Sequence, residues 1–278
     1  MRPETEAAIQ AVSAALPVLK ARPGASDSQP KARLDFVTGT DLAVEAVVIE
    51  SLRRRFPEYG FLAEESGVSG SRQSFWVIDP ICGTGNFAAG LPLFNVNVAL
   101  VQDDQVVLGV LLDGTSGDVY VAERGQGASL NGEPIAVTDR GGIINFDFGH
   151  RPASGQVGTI IRAMEQVMTR RLWQARVLAS SLTFGYLASG HLAGHLVDDI
   201  EPWDSNAGAL IAEEAGATIS DFAGRPWRWD SRQLVCGSTT KIHAQLLALV
   251  SGEPRPPGKR PGENRSGVRY QPRPVSGE

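Results

Sequence analysis

The sequence predicts a mixed α and β fold built as two packed halves. Three observations predict it. The first half reads as helices followed by a run of adjacent strands, the second half alternates helix with strand, and no internal repeat intervenes. A chain of 278 residues, 42% hydrophobic and 21% charged, is long enough for one large domain or two modest ones. The halves meet near Asp139–Gly142, giving an N-terminal half over 1–140, a C-terminal half over 141–250 and a tail over 251–278.

Each element has a local signal. Residues 4–21 carry Ala, Ile, Val and Leu at helical spacing, with Pro17 as a flaw, and 22–34 reads as loop. Thr40 or Asp41 can cap a helix whose apolar residues Leu42, Ala46, Ile49 and Leu52 recur every three or four positions, ending near Pro57. Phe75–Ile78 is a short β-prone run that stops at Asp79-Pro80. Phe94, Val96, Val98 and Leu100 alternate with Asn95, Asn97 and Ala99, a strand with one buried face. Strands follow at Val106–Leu112 and Asp118–Glu123. In the second half, helices are predicted at Gln156–Arg170, Ser180–Ser189, Asp204–Ala215 (closed by Gly216) and Thr240–Val250. Strands are predicted at Trp173–Leu178, Gly194–Val197, Ala217–Ser220 and Leu234–Cys236.

Composition narrows the function. No run approaches the roughly 20 apolar residues that a membrane helix needs, so no membrane partner is expected. The polar start Met1-Arg2-Pro3-Glu4 does not read as a secretory signal, and two cysteines make no disulfide framework, so a cytoplasmic location is expected. Net charge is −5. The Pro-, Gly- and Arg-rich tail 251–278 holds six basic and three acidic residues and reads as disordered, leaving 20 basic against 28 acidic residues in the body. An acidic body does not suggest nucleic-acid binding, and none is expected. It suits a protein that gathers carboxylates around cations.

Several acidic residues stand at element edges: Asp41 and Asp204 at helix starts, Glu64 and Glu65 after Phe61-Leu62, and Asp79 at a strand end. Taken singly, each has a plain role. Asp41 and Asp204 are helix caps, Glu64-Glu65 is a solvated loop, and Asp79-Pro80 is a turn. Brought together, they would repel unless cations lay between them. Hard oxygen ligands suit Mg²⁺, and Mg²⁺ suits phosphoryl chemistry.

The arrangement of these residues resembles the inositol monophosphatase family of Mg²⁺-dependent phosphomonoesterases. Asp35-Phe36-Val37-Thr38-Gly39-Thr40-Asp41, with Glu45 beyond, matches D-x-V-T-x-x-D-x-x-x-E, and Ala63-Glu64-Glu65-Ser66 matches G-E-E-S with Ala for Gly. Trp76-Val77-Ile78-Asp79-Pro80-Ile81-Cys82-Gly83-Thr84-Gly85-Asn86-Phe87 matches W-I-I-D-P-I-D-G-T-x-N-F. Gly125-Gln126-Gly127-Ala128 with Asn131-Gly132 matches G-x-G-A-x-x-N-G, and Trp203-Asp204, Ala207-Gly208 and Glu214-Ala215-Gly216 match the W-D-x-A-A-G and E-A-G-G elements. The likeness runs from about residue 5 to 250.

The resemblance implies an α/β (α+β) fold, the layered αβαβα sandwich of the inositol monophosphatase and fructose-1,6-bisphosphatase type, commonly a homodimer. The implied activity is hydrolysis of a small phosphate monoester by direct attack of a metal-activated water, and the implied partner is a small phosphorylated metabolite. Glu64, Asp79 and the Ile81 carbonyl would hold a first Mg²⁺, with Asp79 and Asp204 sharing a second. Asp41, Thr84 and Glu64 form the implied catalytic set, with Thr84 and Asp41 orienting and deprotonating the water. The Gly83 and Thr84 amides would meet phosphate oxygens. The N-terminal half is thus the metal-binding half, and the C-terminal half completes the site.

Departures from the pattern matter as much. Cys82 stands where the motif has its second Asp, a ligand of the second metal. A thiol is soft and mostly neutral at pH 7. Three readings stay open: a weak second site and a slow enzyme, a site taking Mn²⁺ or Zn²⁺ through the sulfur, or a catalytically weakened relative that serves as a ligand- or protein-binding module. On the substrate side, Leu178-Ala179-Ser180-Ser181 replaces the usual G-S-A-A or G-T-A-A, with Ser180 as the candidate contact. Val197 falls where inositol phosphatases place a Glu that holds sugar hydroxyls, with Asp198 or Asp199 as the candidate substitute.

Other patterns lead elsewhere. Gly83-Thr84-Gly85-Asn86-Phe87-Ala88 imitates a dinucleotide fingerprint, but Pro92 and the strand from Phe94 argue against the helix it needs. A cysteine phosphatase needs Arg six residues after its nucleophile, and position 88 is Ala. His191 and His195 lie beside Gly190 and Gly194, which break a helical zinc pair. Trp227 and Trp229 read as surface packing, and Cys236 as a buried small hydrophobe.

Overall fold

The computed structural model describes residues 1–21, 29–32, 35–139, 142–148 and 157–251; the tail beyond 251, expected to be disordered, lies outside the described residues. Helix α1 (Pro3–Ala21) buries Ala7, Ala8, Ala11, Val12, Ala15 and Leu19 along one face and runs on through Pro17. Where 22–34 reads as loop, β1 (Gln29–Ala32) pairs antiparallel with β2 (Asp35–Val37). Strands this short carry no alternation that would reveal them. Helix α2 (Gly39–Arg55) is capped by Thr38, not by Thr40 or Asp41.

One large sheet follows. Its strands are β3 (Gly60–Ala63), β4 (Gly67–Ser69), β5 (Ser74–Cys82), β6 (Asn95–Gln102), β7 (Gln105–Asp113), β8 (Val119–Glu123), β9 (Ala128–Leu130) and β10 (Glu133–Ile135), with the short helix α3 (Thr84–Ala88) between β5 and β6. The order is β10-β9-β8-β7-β6-β5-β3-β4, antiparallel except where β3 meets β5. The second sheet runs β12-β11-β13-β15-β14. It is built from β11 (Ile143–Phe148), β12 (Gln174–Arg176), β13 (Gly194–Asp198), β14 (Thr218–Ser220) and β15 (Gln233–Gly237), with helices α4 (Val157–Arg170), α5 (Leu182–Ala188), α6 (Pro202–Glu214) and α7 (Thr240–Val250). Within it, β11, β12 and β13 are parallel.

Packing makes this a five-layer αβαβα sandwich. Ala8, Val12, Val44 and Val48 of α1 and α2 pack on Trp76, Ile78, Val96 and Val98 of the large sheet. The opposite face of that sheet, through Val77, Ala99 and Leu111, meets Leu182 of α5 and Leu210 and Ile211 of α6. Phe184, Leu187, Ala209 and Ala212 from the same two helices cover Val197 and Leu234 of the second sheet. Ile160, Val167 and Leu246 of α4 and α7 close its far side. Strand β6 is therefore buried on both faces, rather than on the one face its alternation suggests.

Two features of β5 differ from the sequence expectation and aim its side chains. The strand does not stop at Asp79-Pro80 but continues to Cys82. Its register against β6 slips by one residue between Asp79↔Asn97 and Cys82↔Asn95. Such a bulge re-aims a strand beside it. Asp79 shares the face of Val77, toward α6, while Ile81 belongs to the α1/α2 core beneath. The extra residue thereby returns Cys82 to the α6 side with Asp79. A helix does follow Gly83, contrary to expectation, but β5 and β6 are antiparallel, so no βαβ dinucleotide unit exists there.

Candidate metal centre and active site

Asp41 and Asp204 are solved by the same local device. Each is the third residue of its helix, closing a capping box with Thr38 or Glu201. Asp41 Oδ2 accepts from Thr38 N at 2.8 Å, and Asp204 Oδ2 accepts from Glu201 N at 3.2 Å. The cap uses one carboxylate oxygen and turns the other inward. Asp41 Oδ1 lies 3.3 Å from Thr84 Oγ1, and Asp204 Oδ1 lies 3.9 Å from Cys82 Sγ. The plain role and the chemical one coexist in one side chain.

Asp79, Cys82 and Asp204 each bring one ligand atom to within 4.8 Å of the others. Asp79 is fully buried, and neither of its oxygens has a hydrogen-bond partner among the described residues. Burial raises its pKa well above the usual carboxylate range, with Glu64 and Asp204 pushing the same way. An orphaned buried carboxylate is costly, and a cation between such groups removes that cost. The donor set therefore fits a hard divalent ion on the Asp79 side. Cys82 fits it less well. Burial, then Asp79 and Asp204, push its thiol pKa well up, although the Ser181 amide donates to Sγ at 3.3 Å.

Thr84 opens α3 after Gly83, whose φ is +89°. A Cβ at Gly83 would lie 2.8 Å from the Leu93 carbonyl and 3.1 Å from that of Ala179, so only glycine fits this approach. Thr84 Oγ1 is 2.9 Å from the Ile81 carbonyl, which keeps a second lone pair. Glu64 sits in the β3–β4 turn, its amide bound to the Ile78 carbonyl at 3.1 Å. Glu45 holds that turn by accepting from the Glu65 and Ser66 amides at 2.9 and 2.8 Å.

Two substrate candidates are placed differently from expectation. Ser180 is buried beside the Gly83 turn, and its hydroxyl donates to Asn95 Oδ1 at 2.7 Å, so that donor is already committed to bracing the loop. Asp198 alternates to the face opposite Val197, binds Gln233 Nε2 at 2.8 Å and lines a separate cavity of about 540 Å³ with Asp221 and Arg225. Asp199 leaves the strand at φ +57° and pairs with Arg232.

Sequence reading missed the polar scaffold behind the site. Asn95 and Asn97 face α5 and bind Ser181 Oγ at 2.9 and 2.7 Å, and Asn97 also donates to the Trp203 carbonyl at 3.2 Å. Two asparagines on one face of an otherwise apolar strand were the available signal. Asn86 Nδ2 ties α3 to the Leu178 and Ala179 carbonyls, each at 3.1 Å. His195 is no metal ligand. It is buried between Asn145 and Thr183, and burial lowers its pKa to about 4. Trp229 packs edge-on against Phe75, and Cys236 is fully buried.

Comparison with known proteins shows the family and the fold. The inositol monophosphatase family model matches residues 1–255. A protein of Xylella fastidiosa named Nus factor SuhB is 32% identical over 231 residues, covering 80% of this chain and 84% of its own. An inositol-1-monophosphatase of Mesorhizobium japonicum is 32% identical over 220 residues, covering 77% and 83%. The crystal structure of extragenic suppressor protein suhB from Bartonella henselae superposes with a TM-score of 0.82 at 27% identity, over 90% of this chain and 99% of that one. Relatives named Nus factor leave the expected absence of a nucleic-acid partner without support. No helix among the described residues is long and apolar enough to cross a membrane. By matched family model, shared fold and convergent acidic site, the chain belongs to the inositol monophosphatase family.

Proposed function

We propose that the chain hydrolyses a small phosphate monoester in a metal-dependent reaction. The observation that carries this reading is the buried Asp79 with two orphaned oxygens, gathered with Cys82 and Asp204 within 4.8 Å. Glu64, Asp79 and the Ile81 carbonyl would hold Mg²⁺, and Asp79 with Asp204 would hold a second ion. When bound, the ions supply positive charge to the phosphoryl and leaving oxygens. The chain's own groups do the rest. Thr84 Oγ1 accepts from the attacking water, and its proton passes to Asp41 Oδ1, 3.3 Å away. The new P–O bond forms as the ester P–O bond breaks, and the departing alkoxide takes a proton from solvent. Gly83 and Thr84 present backbone amides to the phosphate from the turn that only glycine permits.

Cys82 tempers this activity, because a thiol replaces a hard anionic donor at the second ion. The names of the SuhB relatives, together with Cys82, favour a second reading, a binding module that has lost most turnover. Phosphate release from a panel of monoesters with Mg²⁺, Mn²⁺ or Zn²⁺ separates the two, run on the native chain and on Cys82→Asp. Turnover by either protein supports the hydrolase scaffold, and the better ion reports the role of the sulfur. Inertness of both on every ester overturns the phosphatase reading.

A further inference from the structure

Strands β11, β12 and β13 are parallel and end at one edge of their sheet. The crevice outside the carboxyl ends of parallel strands is where α/β proteins receive ligands. Helix α6, which carries Asp204, starts at that same edge, only three residues after β13 ends. Asp147 is the second-last residue of β11, and no part of the sequence pattern singles it out.

Alternation puts Asp147 on the same face of β11 as Asn145. The contacts of Asn145 identify that face. Its Oδ1 accepts from Leu178 N at 3.1 Å, and its Nδ2 lies 3.1 Å from His195 Nδ1. The Leu178 carbonyl in turn receives Asn86 of α3. Asn145 therefore faces the loop that walls the metal centre, and Asp147 stands one step nearer the carboxyl end of the strand. Its register partner on β13 is Val197, a buried apolar side chain. Among the described residues, Asp147 Oδ1 accepts a local bond, from Phe148 N at 2.9 Å. The side chain is half-buried, and desolvation, with the Asp204 carboxylate adding to it, raises its pKa. The Asp79–Cys82–Asp204 cluster does not include it.

We propose that Asp147 is a specificity determinant that holds a hydroxyl of the substrate beside the phosphate ester. This rests on the phosphatase reading, and it places hydroxyl recognition on β11, where Val197 of β13 offers no polar atom and Asp198 faces away. A carboxylate oxygen on this face accepts from a ring hydroxyl, a contact that a purely apolar ring cannot make.

The test uses two esters of one ring, inositol 1-phosphate and cyclohexyl phosphate, with inorganic phosphate and phosphoethanolamine as controls. Binding to the Mg²⁺-loaded full chain is read by calorimetry and turnover by phosphate release. Asp147→Ala should weaken inositol 1-phosphate about tenfold or more, through KM and with kcat little changed, as loss of a hydrogen bond to a charged group does. Cyclohexyl phosphate and inorganic phosphate should be unaffected. Asp147→Asn keeps an acceptor and should keep most of the affinity, which separates the contact from any folding defect. Equal weakening of both ring esters by Asp147→Ala, no preference of the native chain for the hydroxylated ring, or an effect confined to phosphoethanolamine overturns the proposal. A hydroxyl preference that depends on Asp147 without turnover sustains it while the hydrolase reading falls. Binding of no ester and no inorganic phosphate overturns both.

Discussion

Replacing Cys82 by Asp puts a third carboxylate into a cluster whose ligand atoms already lie within 4.8 Å of one another. At that separation and an effective dielectric of about 20, each pair of unit charges repels by about 3 kcal/mol. Asp79 already has its pKa raised by burial, Glu64 and Asp204, so it relieves part of the repulsion by taking a proton. The ion-free variant should therefore be less stable than the native chain by about 1–3 kcal/mol. Mg²⁺ should reverse the order, since an ion at a hundred times its Kd stabilises by about 2.7 kcal/mol. The assay is thermal unfolding of both proteins in EDTA and across a Mg²⁺ titration. A variant as stable as the native chain in EDTA, with no larger gain from Mg²⁺, would refute the reasoning that these three side chains share one cation. Where turnover is measurable, the same substitution should raise it by about a hundredfold, or about 2.7 kcal/mol of barrier.

Further outcomes follow from single contacts. Thr84→Val keeps the shape of α3 but removes the hydroxyl between Asp41 and the Ile81 carbonyl, so phosphate release should fall by about a hundredfold or more while Mg²⁺ affinity, read by calorimetry, is retained. Gly83→Ala forces a Cβ into left-handed backbone 2.8 Å from the Leu93 carbonyl, and should cost about 1–3 kcal/mol in a urea titration. His195 has a folded pKa of about 4, below its unfolded value of about 6.5, so the unfolded chain binds the proton first. Its contribution is present above pH 6.5 and lost as pH falls toward 4, by about 3 kcal/mol at most. His195→Gln should flatten that acid limb in urea midpoints taken from pH 4 to 7, and an unchanged slope would remove His195 as its cause.

The sequence by itself determined the mixed α/β class and the span of α7, and it pointed to the residues of the candidate site, because capping signals, periodic apolar residues and ordered motifs are local properties. It carried the Asp35–Asp41 and Trp76–Phe87 motifs, and with them the family. Tertiary structure alone decided where side chains point. The bulge after Asp79 returns Cys82 to the α6 face, and no local propensity records a slip against β6. Asn95 and Asn97 read as the solvated side of a strand, yet α5 and α6 cover them and make them a buried scaffold for Ser181 and Trp203. Asp198 and Asp147 show the same limit. The first lies near Asp204 in sequence but alternates away from it, while the second lies 57 positions before Asp204 and reaches its field through the parallel register of β11 and β13. A period of two assigns residues to alternate faces, but which face meets the site depends on the strands and helices packed around it.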